Sequence, residues 1–299
     1  MIKIFEKVIK ESLFENLTAA DFPLNFLKFS TITSGAGLND KVIFLVFKNG
    51  ASSPFLCLKT VRNYEAKQAI LRNFNNLQKL NSLTIGSPHE QLFARAICLH
   101  DDGENVFSIE TACLGGKIGK DKQKLMVAIK DYIVFQEYLA KQSKNSSRSM
   151  QELANETIFK SGLGELEQRN VLEYFAKLPQ SDINLPCIIQ HGDLTPDNLL
   201  LNKDGLHIVD YDDVGKTDIP GFDLFSLFRR FGQADFYSLC EEYFSIHFKK
   251  INGKFNSNNY RGLLFLYNFV EYTQKKSHNS EEVSVEKIIS GFERLYPKV

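Results

Sequence analysis

Apolar residues fall into two rhythms along this chain, and the change from one to the other predicts how it is organised. In the first third, short apolar runs are cut by turn residues. Val42 to Phe47 ends at Asn49-Gly50 and resumes as Phe55 to Leu58 with Lys59 at its end, while Phe93 to Leu99 and Val106 to Thr111 flank the polar stretch His100 to Asn105. Runs of this length, bounded by Gly, Asn and Asp, read as buried strands joined by hairpins. One helix is predicted among them, from about Tyr64 to Leu80.

Beyond Gly115-Gly116 the period lengthens. Leu125, Ile129, Tyr132, Ile133, Gln136 and Leu139 trace one helical face, and Val171, Leu172, Phe175 and Leu178 trace another. Residues 141–164 between them are polar and rich in Ser and Asn, which predicts a loop or insertion. Farther on, Leu224, Phe225, Leu227, Phe228, Phe231, Phe236, Tyr237, Tyr243, Phe244 and Phe248 recur at helical spacing. They read as a core stripe rather than an aromatic box for a quaternary ammonium, because they alternate with polar residues at the helix period.

A third pattern lies inside the helical part. Cys187-Ile188-Ile189 and Leu199-Leu200-Leu201 read as short strands around the polar turn from Gly192 to Asp197. Asn202-Lys203-Asp204-Gly205 then predicts a hairpin that returns the chain through Leu206 to Val209, so that Asp210 emerges beside the Asp193 loop. Asp193, Asn198 and Asp210 are oxygen-bearing side chains of the types used in phosphoryl transfer: an acid to orient a hydroxyl and take its proton, and two donors for magnesium. Taken singly, an Asp after Gly is a turn former and an Asn before a strand is a cap. Their combined spacing is what points to chemistry. His191 reads as a structural residue that positions the loop, since magnesium prefers oxygen. Asp212 and Asp213 follow Asp210 too closely for all three to be ligands, and each also reads as part of a solvated acidic turn.

Composition narrows the field. The chain has 299 residues, 43% of them hydrophobic and 24% charged, enough for a substantial core in a globular protein. Thirty-six basic residues balance 36 acidic ones, so no overall field favours nucleic acid. The amino-terminal stretch reads as the start of an amphipathic helix rather than a signal peptide, and no run approaches membrane-spanning length, which together predict a cytoplasmic protein without stable membrane insertion. The five cysteines, Cys57, Cys98, Cys113, Cys187 and Cys240, are odd in number and widely spaced, and they read as reduced core residues.

The string His191-Gly192-Asp193-Leu194-Thr195-Pro196-Asp197-Asn198, with Val209-Asp210-Tyr211-Asp212 and Pro220-Gly221-Phe222-Asp223-Leu224, resembles the aminoglycoside phosphotransferase and choline kinase superfamily. The resemblance implies an α+β, bilobal, protein-kinase-like fold: a small lobe with an antiparallel sheet and one main helix, then a larger, mostly helical lobe. It implies a nucleotide-binding lobe over residues 1–110 and a catalytic and substrate-binding lobe over 111–299. It makes Asp193 the catalytic acid, Asn198 and Asp210 the magnesium ligands, and Asp223 the brace of the catalytic loop.

The same resemblance extends to the first third. Ser34, Gly35 and Gly37 lie in a glycine-containing turn whose amides can approach phosphates, and Lys59 ends the third strand, where it can reach them with charge. The family's helix carries a glutamate that pairs with this lysine; here Asn73 stands in that place, so either Asn73 orients Lys59 without charge or another acid substitutes. Adenine is expected against Glu110, Ala112 and Cys113. The implied reaction is ATP- and Mg2+-dependent transfer of the γ-phosphoryl group to a hydroxyl of a small molecule, whether a sugar, an amino alcohol such as choline or ethanolamine, or an aminoglycoside-like compound. The uncharged Asn73 also motivates an alternative, a pseudokinase acting as a nucleotide-binding or interaction module.

Overall fold

The computed structural model describes residues 5, 28–33, 41–48, 50–142, 147–178, 184–231, 257–279 and 284–295. The expectations for Ser34, Gly35 and Gly37, for Cys240, for the amino-terminal helix apart from Phe5, and for the aromatic residues from Phe236 to Phe248 lie outside the described residues.

The alternating first third forms an antiparallel sheet. Its strands are β1 (Lys28–Thr33), β2 (Lys41–Phe47), β3 (Leu56–Val61), β4 (Ala96–Asp101) and β5 (Val106–Thr111), in the order β1-β2-β3-β5-β4. Each neighbouring pair is antiparallel. Every residue of the central strand β3 is buried, and the pleat sorts its residues between two different environments. Val46, Leu56, Leu58, Phe107 and Ile109 cluster with Phe5 in an apolar core. Cys57, Lys59 and Val61 take the other face, where Val61 joins Ile70 and Val106 under helix α1 (Gln68–Thr84). The buried residues of α1 are Ile70, Asn73, Phe74, Leu77, Leu80 and Thr84, a helical stripe with one polar intruder.

Contacts divide the chain into two compact units, Met1–Ala128 with Thr195–Val214, and Ile129–Leu194 with Gly215–Val299. This division departs from a boundary after residue 110. The cause lies in strand pairing. Strands β9 (Leu199–Asn202) and β10 (Gly205–Ile208) form the expected hairpin, and β9 also pairs with β6 (Gly116–Lys117), while Ile208 bridges to Phe93. Gly115 makes the approach to β9 possible, since a Cβ there would lie 2.9 Å from the Leu201 carbonyl oxygen.

The remaining elements are helix α2 (Lys122–Gln142), strand β7 (Ser147–Ser149), helices α3 (Met150–Phe159) and α4 (Glu165–Ala176), strand β8 (Asn184–Pro186), and helices α5 (Phe222–Phe231), α6 (Ser257–Asn279) and α7 (Val285–Leu295). Helix α2 buries Leu125, Ile129, Tyr132, Ile133, Gln136 and Leu139, the face that its periodicity predicts. In the second unit Phe265 of α6 packs against Phe175 of α4 and edge-on against Phe292 of α7 at 5.2 Å between ring centroids. Such arrangements let the positive edge of one ring meet the negative face of another.

Two expectations need correction. The polar stretch 141–164 is not simply a loop: β7 pairs with β8, and α3 follows, opened by a capping box in which Ser149 and Glu152 satisfy each other's backbone amides. Its apolar stripe of Met150, Leu153, Ala154 and Ile158 is narrow, so the polar majority of the segment hides it. Cys187-Ile188-Ile189 is not a strand either. The amide of Ile188 donates to the Asp218 carbonyl at 3.0 Å, and that of Gln190 to Thr217 at 3.3 Å, which satisfies the backbone outside any ladder. Among the described residues, no helix is long and apolar enough to cross a membrane. Cys57, Cys98, Cys113 and Cys187 are free thiols.

Candidate active site

Strand register places the first group of candidate side chains. Lys59 lies opposite Ser108 and Cys57 opposite Glu110 across the β3–β5 pair, so Lys59 and Glu110 are diagonal neighbours on one face. Their side chains form an ion pair at 2.8 Å with only 6% and 4% of their surfaces exposed. Asn73, from α1 above that face, accepts a hydrogen bond from Lys59 Nζ at 3.1 Å. The Lys59 ammonium also lies 5.1 Å from the centre of the Tyr211 ring, within cation–π range. Burial alone would lower the Lys59 pKa, yet the groups around it, Glu110 foremost and Asp210 among them, together outweigh burial and hold the ammonium above the ordinary lysine value. Glu110 Oε2 and Ser108 Oγ, on the same face, make no hydrogen bond. The acid that meets Lys59 therefore comes from β5, and Asn73 adds a neutral contact beside it.

A second cluster in the same unit gathers around Asp210. Among the described residues Asp210 is the only non-glycine at positive φ, at 70°. That left-handed conformation costs an L-residue about 1–2 kcal/mol and is tolerated best by Asn and Asp. Lys41, the first residue of β2, bridges two acids, with Nζ 2.7 Å from Asp210 and 2.8 Å from Asp212. Asp212 also accepts from Asn73 Nδ2 at 2.8 Å, so Asn73 links the Lys59 pair to the acids of this cluster. Asn198 ends a 3₁₀ turn (Pro196–Asn198), and its carbonyl accepts from the Val209 amide at 3.0 Å, which sets it beside the residue preceding Asp210. Asp213 lies in the turn that follows.

These donors suit magnesium by chemistry. Asn198, Asp210 and Asp212 offer hard oxygen, and two carboxylates close enough to share one ammonium can share one small dication. Among the described residues no group of three or more His, Cys, Asp and Glu is arranged to hold a metal. Magnesium does not require one, since it commonly takes one or two carboxylates and completes its shell with water and phosphate oxygen.

The Asp193 loop belongs to the second unit, and its backbone is held by one carboxylate. Asp223, in the first turn of α5, is fully buried and accepts the amides of His191 at 2.6 Å and Gly192 at 2.8 Å. Gly192 has φ +87°, a conformation in which a side chain would be strained, which explains the Gly before Asp193. Tyr132 donates its hydroxyl to Asp223. A ring of neutral contacts continues from there: Gln136 Nε2 donates to the Tyr132 oxygen at 3.0 Å, Gln190 Nε2 to Gln136 Oε1 at 2.7 Å, and the Asp223 amide to Gln190 Oε1 at 3.1 Å. Burial raises the Asp223 pKa, although His191, the Tyr132 hydroxyl and the two loop amides all act against the rise. Asp193 itself is half-buried.

The segment expected to meet adenine follows Glu110 directly. The Ala112 amide is already engaged, donating to the Phe55 carbonyl at 3.0 Å, and Thr111 is tied to Arg95 through backbone and side chain. Burial pushes the Cys113 thiol up to about 11 and the Cys57 thiol up to about 12, so neither is a thiolate at neutral pH. A cavity of 570 Å³ opens beside Thr111, Ala112 and Cys113, with Phe93, Arg95 and His207 in its wall.

Sequence reasoning misses three parts of these clusters: Lys41, the pairing of Glu110 with Lys59, and the Tyr132–Gln136–Gln190 ring. A signal for the second existed. Glu110 lies near the end of a mostly apolar strand, and an acid in such a run is rarely buried without a partner.

Three comparisons bear on identity. Residues 133–246 match the model described as the phosphotransferase enzyme family. Among curated protein sequences, none matches this chain. Among solved structures, a thermostable mutant of aminoglycoside phosphotransferase APH(4)-Ia, in a ternary complex with ADP and hygromycin B, superposes with TM-score 0.57 at 9% identity, covering 90% of this chain and 95% of that one. Aminoglycoside-3'-phosphotransferase of type VIII is similar at TM-score 0.50 and 17% identity, over 88% of this chain and 98% of the other. The amicoumacin kinase hAmiN, in complex with AMP-PNP, Ca2+ and Ami, gives TM-score 0.50 at 13% identity, over 97% of this chain and 94% of that chain. At these identities the likeness is one of fold. Residues 133–246 thus match the phosphotransferase enzyme family, and the chain takes the kinase-like fold of the aminoglycoside phosphotransferases.

Proposed function

We propose that this protein is a small-molecule kinase that moves the γ-phosphoryl group of ATP to a hydroxyl of its acceptor, with magnesium on the nucleotide. The observation that carries the reading is the convergence of Asp210 and Asp212 on a single cation in the unit that also holds Lys59. Asn198, Asp210 and Asp212 would hold Mg2+, which when bound would neutralise charge on the phosphates. Lys59, kept charged and oriented by Glu110 and Asn73, contacts the phosphates. Asp193 accepts a hydrogen bond from the acceptor hydroxyl and takes its proton as the oxygen bonds to phosphorus and ADP leaves. His191 and Asp223 hold the loop that presents Asp193. The base of the nucleotide sits against the segment from Glu110 to Cys113, and the acceptor is a sugar, an amino alcohol such as choline or ethanolamine, or an aminoglycoside-like compound.

The pseudokinase alternative rests on the uncharged Asn73. Glu110 supplies the negative charge that Asn73 lacks, which weakens that ground.

Two variants and a hydroxyl-compound panel test the reading. Wild type should consume ATP in the presence of magnesium when a suitable hydroxyl is present. Asp193→Ala should lose about 10²- to 10⁴-fold in turnover with nucleotide affinity unchanged, whereas Asp210→Ala should weaken magnesium-nucleotide binding. Equal loss of binding in both variants, or no transfer by wild type to any member of a metabolite pool read by mass, would count against it.

A further inference from the structure

Lys41 lies outside every role assigned so far, yet it is the residue on which the candidate metal acids converge. It is the first residue of β2 and follows the glycine-containing stretch Ser34 to Asp40 directly in sequence. In the β2–β3 pair, Lys41 lies opposite Val61 and Ile43 opposite Lys59, so the two lysines are diagonal neighbours on one face of the sheet. Their surroundings differ. Lys59 is enclosed with Glu110, both side chains being almost wholly buried. Lys41 reaches Asp210 and Asp212, whose side chains keep 47% and 30% of their surface open to solvent. One lysine is fixed by a buried acid, and the other rests on acids that keep part of their surface open to solvent.

The charges make the second arrangement exchangeable. Lys41 Nζ is 2.7 and 2.8 Å from carboxylate oxygens, hard donors of the kind a divalent cation takes. A small dication and an ammonium cannot occupy the space between two such oxygens together. A cation displaced from there remains tethered to the start of β2, the strand that follows the glycine-containing stretch, where it can pair with an arriving anion. The phosphates of an arriving metal-nucleotide carry the charge that such a cation pairs with.

We propose that Lys41 is a nucleotide-phosphate-binding residue whose ammonium keeps the place of the divalent cation between Asp210 and Asp212 until metal and nucleotide arrive. The proposal rests on the kinase reading above and deepens it by adding a second lysine to the same site. It divides labour between the lysines: Lys59 is positioned by Glu110 throughout, and Lys41 exchanges partners.

The test uses the full chain and Lys41→Met, with Lys41→Gln as a second neutral variant should the first be insoluble. Mn2+ alone, titrated into nucleotide-free protein and followed by electron paramagnetic resonance, should bind the variant about tenfold more tightly than wild type, because the competing ammonium is gone. ADP titrated in the presence of saturating Mn2+ should bind the variant about tenfold more weakly, because the phosphate-pairing cation that the metal releases is lost. A folded variant with unchanged or weaker Mn2+ affinity overturns the exchange, and unchanged ADP affinity overturns the phosphate contact. Failure of the kinase reading looks different: wild type would then transfer no phosphate to any hydroxyl compound of the panel, while the comparison of Mn2+ binding would still judge the role of Lys41 between the acids.

Discussion

Glu110 and Asp223 are both buried carboxylates, one in each compact unit, and their partners give them opposite tasks. Glu110 faces a counter-charge and holds a side chain: the Lys59 ammonium, at 2.8 Å. Asp223 is held by neutral donors and fixes a backbone: the His191 and Gly192 amides leading into Asp193. The difference shows in the proton equilibria. Glu110, with smaller help from its neighbours, keeps Lys59 protonated against the cost of burial, whereas burial prevails at Asp223 and draws its pKa upward. A charge can thus be enclosed by pairing or by encirclement with dipoles. Pairing defines the position of a cation, and encirclement defines the course of a loop.

The strongest way to break this contrast is Glu110→Gln. It leaves the Lys59 ammonium without its counter-charge and should cost about 3–5 kcal/mol, measured by urea unfolding, whereas removing both charges in Lys59→Met/Glu110→Leu should cost much less. Equal losses in the two variants would mean that shape rather than charge balance matters there. A smaller effect is expected at Asp223. Asp223→Asn keeps one acceptor but forfeits the carboxylate's reach to both loop amides and Tyr132, for about 1–3 kcal/mol. Its pH dependence sharpens the point. Because the native pKa of Asp223 is raised, the stabilisation linked to its proton is complete below the unfolded carboxylate value and is lost as pH rises through the native one. The advantage of wild type over Asp223→Asn should therefore shrink as pH rises from 4 toward 7. An advantage that grows instead would show the carboxylate behaving as a paired acid. Tyr132→Phe should be mildest, about 1 kcal/mol. It removes a donor that lowers the Asp223 pKa, so the pH window should move upward.

Much of this could be read from residue patterns. The strands around Val42, Phe55 and Val106, the hairpin at Asn202 to Gly205 and the buried face of α2 follow from period and turn chemistry, which act over a few residues. Helix α3 escaped because its stripe is narrow among polar neighbours, although Ser149 and Glu152 carry the capping signature. Gln136 was legible as a helix-face residue, but its place in a ring with Tyr132 and Gln190 was not, since that ring joins residues far apart in sequence.

By itself, the sequence determined most of the strands and the buried face of α2, because spacing and alternation are local properties. Only the tertiary structure decided which acid meets Lys59 and which cation meets Asp210. Those pairings depend on strand register: Cys57 opposite Glu110 brings the β5 acid diagonal to Lys59, and Val61 opposite Lys41 puts a second lysine on the same face. Register is set by how whole strands bury their faces, a choice no short stretch of residues makes alone.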